Sequence, residues 1–95
     1  MKKEKCESLD QAREKIDAID LALIEMIATR QFYVDQAARF KRTAEEVHSP
    51  ERVQQVINQV RQKAMDLGTD PDLIEKIYRD MIQHFIQREL KEFRP

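Results

Sequence analysis

Arg30, Lys41 and Glu89 stand where a helical stripe calls for an apolar side chain, and each is of a type that handles small anions. An arginine fork binds both oxygens of a carboxylate, and a lysine ammonium suits one oxygen that gains charge. A buried carboxyl beside a bound anion can keep its proton and donate a hydrogen bond. Arg13 lies at the edge of the same stripe as Arg30, and Arg52 lies about 90° off the apolar face of a later helix, in its first turn. Several cations and one acid in a partly apolar cavity would suit a small dianion such as a dicarboxylate. A plainer reading stands beside this one. A lone inward Arg or Lys more often snorkels or pairs with a carboxylate across a bundle, and Arg30 with Glu89 could form such a pair.

Positioning these groups falls to helices. From Ser8 to Lys41 the apolar residues Leu9, Ala12, Ile16, Ile19, Leu23, Met26, Tyr33, Ala37 and Phe40 step by three and four, without Gly or Pro. Ser8 with Gln11 three residues on forms a capping-box pattern that starts this helix, and the polar residues 1–7 precede it. Residues 42–48 read as helix end and connecting loop. Ser49-Pro50-Glu51 restarts a helix with Ser49 at the N-cap, Val53, Val56, Ile57, Val60, Ala64 and Leu67 on its apolar face, and Gly68 at its stop. Asp70-Pro71-Asp72 repeats the start signal, and a third helix runs to about Phe93, with Glu89 continuing the row Tyr78, Ile82, Phe85. No segment alternates with period two for long enough to be a strand. The expectation is an all-α chain of three helices, long, short and long.

The first helix is too long for a compact chain of 95 residues. About 33 residues at 1.5 Å rise make a rod near 50 Å, against a domain about 30–35 Å across. An intertwined six-helix homodimer, in which long helices of two chains pack along each other, accommodates it. On one continuous helix Arg30 and Lys41 are about 16 Å apart along the axis, close enough for their heads to converge on one ligand. Arg13 is about 25 Å from Arg30, so only Arg13 of a partner chain in an antiparallel dimer could join that site, with Arg52 and Glu89 closing it.

Composition narrows the classes further. Ninety-five residues make a single domain, 1–95, and a formal charge of −1 supplies no basic field for nucleic acid or anionic lipid. One cysteine, Cys6, cannot form an internal disulfide, and no apolar signal core follows the Lys-rich start, so a cytoplasmic protein without a membrane span is expected. His48, His84 and Cys6 lack zinc-ligand spacing, and Gly68 as the one glycine leaves no Gly-rich phosphate loop.

The run Arg13-x3-Asp17-x2-Asp20, Arg30 seventeen residues after Arg13, Lys41 eleven after that and the first-turn Arg52 resembles the all-helical chorismate mutase family from about Ser8 to Phe93. Tyr33-Val34, Ala38-Arg39-Phe40-Lys41, Pro50-Glu51-Arg52-Val53 and the Gly68 turn resemble more closely its branch containing isochorismate pyruvate lyases. The resemblance implies cofactor-free pericyclic chemistry in a homodimer. Arg13 of one subunit and Arg30 of the other would grip the substrate carboxylates, with Arg52 assisting at the loop side. Lys41 and Glu89 would flank the ether oxygen, and Ser49, Val53, Ile82, Phe85 and Ile86 would line the pocket.

Two departures from that family's pattern bear on the reaction. Many bacterial members carry Gln where this chain has Glu89, so activity is expected to fall as Glu89 ionises. Chorismate mutases commonly place an acid or amide at the position of Val53 and an Asp at that of Ser49, both near the ring hydroxyl. Their absence tilts the expectation to isochorismate pyruvate lyase, with chorismate mutase activity alongside or instead. An aminated chorismate and a non-catalytic helical dimer are the remaining alternatives.

Overall fold

The computed structural model describes residues 2–93, and the regular structure among them is helical. In chain order the helices are α1 (Leu9–Ala38), α2 (Ala44–His48), α3 (Pro50–Asp66) and α4 (Pro71–Glu92). Two compact units divide the chain: the first ends at Arg39 and contains α1, and the second begins at Phe40 and contains the other three helices.

The first unit starts as its sequence requires. The Gln11 N–H donates to Ser8 Oγ at 3.1 Å, and Gln11 Oε1 reaches back to accept from the Glu7 N–H at 2.7 Å. Helix α1 then runs for 30 residues and stops at Ala38, three residues before the expected end at Lys41. Its last turn tightens, the Arg39 N–H bonding back to the Gln36 carbonyl at 3.2 Å, which ends the regular winding despite the apolar periodicity that continues to Phe40. Phe40 is 77% exposed. No residue of α1 is buried, and Leu9, Ile16, Leu23, Met26 and Tyr33 are each at least half exposed.

In the second unit, α2 occupies a stretch that the sequence pattern assigned to a connecting loop. Five residues are just over one turn, too few for a periodic stripe. The helix exists because Thr43 caps it, its hydroxyl accepting from the Glu46 N–H at 3.1 Å. Ser49 joins α2 to α3 in the left-handed region, at φ 38°. It occupies the expected N-cap position of α3 but makes no side-chain cap bond there, because its hydroxyl donates to the Glu46 carbonyl instead. Pro50 opens α3 at a position where the missing N–H leaves no bond unmade.

The end of α3 is a Schellman turn: the Gly68 N–H donates to the Met65 carbonyl at 3.1 Å and the Thr69 N–H to the Ala64 carbonyl at 2.9 Å. Gly68 at φ 73° makes that reversal at low strain. Asp70 caps α4, its carboxylate accepting from the Asp72 N–H at 2.9 Å, with Pro71 in the first turn.

Helix α3 packs on α4, and α2 also packs on α4. Their small core consists of Val47 from α2, Ile57 and Ala64 from α3, and Ile86 from α4. Beside it, the Arg61 guanidinium bridges Asp72 (2.9 Å) and Glu75 (2.8 Å), while Arg79 Nε holds the other oxygen of Glu75 at 2.6 Å. The Arg79 hydrogen bond is the main cause that holds the Glu75 carboxyl below its ordinary range, with burial opposing it. The Asp72 hydrogen bond is the main cause that raises the Arg61 guanidinium. Among the described residues no helix is long and apolar enough to cross a membrane.

Candidate active site

Lys41 and Glu89 meet in the second unit. Lys41 follows the end of α1 in a non-helical stretch, and Glu89 comes from the last turn of α4. The Lys41 ammonium donates to Glu89 Oε2 at 2.9 Å, with side-chain exposures of 24% and 9%. Forty-eight residues of chain separate the two, so the pair is a product of the α2 and α4 packing and not of local sequence.

A largely buried ammonium with three donors can serve an oxygen that gains charge, and Glu89 takes up one of those donors. In this arrangement Glu89 is the acceptor. The donating role expected from its place in the apolar row would require the pair to part or a proton to be added.

The expected pocket residues of the second unit fall in three settings. Ser49 and Val53, both partly buried, lie at the start of α3. Ile82 and Phe85 are partly buried on α4, and Ile86 belongs to the core at 8% exposure. The Phe85 ring is met edge-on by His84, with centroids 5.5 Å apart, and the Arg88 guanidinium lies 5.8 Å from its centre. Arg52 is exposed on the first turn of α3 and donates to Gln55 Oε1 at 2.7 Å.

Arg13 and Arg30 belong to the first unit, Arg13 exposed and Arg30 partly buried on α1. The expected convergence of Arg30 and Lys41 along one helix is corrected, because Lys41 is not on α1. Its place follows from the fold of 39–49 instead. The sequence reading also missed Thr43 and Glu46, which shape that stretch, and the signal that could have found them is the capping spacing Thr43-x-x-Glu46.

Lys41 and Glu89, distant in sequence, thus meet within the second unit, and α1 of the first unit carries the two arginines Arg13 and Arg30. The profile of the chorismate mutase type II family matches residues 12–90. This chain belongs to that family. The chain is also similar to the isochorismate pyruvate lyase of Pseudomonas aeruginosa, 32% identical over 91 residues, which are 96% of this chain and 90% of the relative. The chorismate mutase of Methanocaldococcus jannaschii is 28% identical over 79 residues, 82% of this chain and 80% of that protein. The T-protein of Enterobacter agglomerans is 33% identical over 72 residues, 75% of this chain but 19% of its own length.

Proposed function

We propose that this chorismate mutase type II protein is an enzyme acting on chorismate-type dicarboxylates, with the isochorismate pyruvate lyase reaction as its main activity and chorismate rearrangement alongside. The observation that carries the reading is the Lys41–Glu89 pair, a half-buried cation held against an acid at the place the family resemblance gives to the ether oxygen. The lyase relative, which aligns with nearly the whole chain, supports the choice of branch.

In either reaction the bond between the ring carbon and the ether oxygen breaks, and that oxygen gains negative charge. Lys41 donates there, stabilising the transition state more than the ground state. In the lyase reaction a ring hydrogen moves to the methylene carbon of the enolpyruvyl group as the carbon–oxygen bond breaks, leaving salicylate and pyruvate. Arg30 and Arg52, with Arg13 of the partner subunit, hold the two carboxylates and keep the enolpyruvyl arm over the ring. Ser49, Val53, Ile82, Phe85 and Ile86 surround the ring. Val53 and the engaged hydroxyl of Ser49 leave this side of the pocket poor in partners for a ring hydroxyl, which favours the lyase substrate.

The assembly that belongs to this reading is an intertwined homodimer of single-domain chains. Its support is α1, a 30-residue helix with none of its residues buried and large apolar side chains exposed along its length.

A side-by-side assay of the purified chain with chorismate and isochorismate tests the activity. Salicylate release faster than prephenate formation is the expected result. Prephenate without salicylate would make chorismate rearrangement the main activity, a second reading favoured by the chorismate mutase relative. Turnover of neither, together with no thermal stabilisation by a bicyclic mimic of the rearrangement transition state, would leave a non-catalytic helical dimer.

A further inference from the structure

Lys41 and Arg42 lie outside any helix, so the place of the Lys41 ammonium depends on what fixes the backbone beside it. One side chain does so. The Glu46 carboxylate accepts a hydrogen bond from the Arg42 N–H at 2.8 Å, one residue from Lys41. The N–H of Glu46 is bound to the Thr43 hydroxyl at 3.1 Å, and its carbonyl takes the Ser49 hydroxyl. Three groups of one residue thus tie the approach to α2, its cap and its junction with α3. The next residue, Val47, is 4% exposed and seats α2 on the second unit, where α2 packs against α4, the helix that carries Glu89.

We propose that Glu46 is a positioning residue for Lys41: by holding the Arg42 amide it sets where the Lys41 ammonium stands relative to Glu89. Glu46 itself is exposed and acts through the backbone. The bond it makes is charge-assisted and spans four residues, so losing it frees residues 41 and 42 while the core residues Ile57, Ala64 and Ile86 keep their packing.

The test compares the full chain with Glu46→Ala and Glu46→Gln, the latter keeping an acceptor oxygen at the same reach. Trace acetylation with acetic anhydride, read by peptide mass, reports the accessibility of Lys41 relative to the exposed Lys63 and Lys76. The expected result is a rise of about threefold in Lys41 labelling relative to those two in Glu46→Ala, reversed in Glu46→Gln. An unchanged ratio, or a uniform rise at all three lysines, would overturn the proposal. A kinetic arm rests on the functional reading above: on whichever substrate the wild type turns over, Glu46→Ala should lower kcat roughly fivefold with KM within about twofold, and Glu46→Gln should restore it. Unchanged kcat would also overturn the proposal. Failure of the wild type to turn over either substrate counts against the functional reading alone, and the labelling then decides the role of Glu46.

Discussion

At Glu89 a single carboxylate holds Lys41, and in the proposed site it would compete with the substrate's ether oxygen for it. Replacing it by Gln keeps the shape, removes the charge and adds an amide donor, so Glu89→Gln should raise kcat several-fold near pH 7.5, about threefold being the scale of one better hydrogen bond. Stopped-flow or continuous absorbance assays on the favoured substrate check this. Lys41→Met should lower kcat by about 100-fold or more, as removal of a donor to a developing oxyanion does elsewhere. Lys41→Arg should recover little of it, since a planar fork does not present a point charge. Residue type was the legible part of this site. An acid in an apolar row marked Glu89, and its carboxylate is nearly buried as that place implies. The resemblance set Lys41 beside Glu89, but periodicity gave neither their direct ion pair nor the path of the non-helical stretch after α1 that makes it.

Between residues and molecule, the helix boundaries divide into those with a chemical marker and those without. Ser8, Pro50, Asp70 with Pro71, and Gly68 each changed the local hydrogen bonding in a way the sequence announces, and the helices begin and end within a residue or two of them. The end of α1 has no Gly, Asn or Pro, and its apolar period continues past Ala38, so its position could not be read from the pattern. Helix α2 is too short to have a period at all. At Gly68 the space around an added Cβ is open, so Gly68→Ala should cost only the backbone strain of its positive φ, about 1 kcal/mol, measured by urea unfolding. Glu75 sets an acid limb of stability. Its folded carboxyl lies below the ordinary value of 4.5, so the unfolded chain takes up its proton first and the Glu75 contribution, full above that value, is lost as pH falls through the folded range. Thermal melts between about pH 6 and 3 should therefore show a shallower fall for Glu75→Gln than for the wild type.

For the whole molecule, α1 is the decisive element. Thirty helical residues extend about 45 Å, and the apolar side chains along them are exposed. The length argument from sequence and these exposures support the proposed homodimer, in which the partner's helix would cover that face. Leu23→Glu together with Ile27→Glu should convert the proposed homodimer to monomers, seen as a halved mass in sedimentation equilibrium, with loss of turnover because Arg13 of the partner subunit leaves with it. Synthesis adds a consequence of its own. The ribosome delivers α1 before the residues of α2, α3 and α4, so in the proposed homodimer the exposed apolar side chains of α1 are made before the partner that would cover them. Yield in the cell should then track the encounter of two nascent or newly released chains, rising more steeply than linearly with expression at low levels, and depend on holdase chaperones that shelter α1 in the meantime.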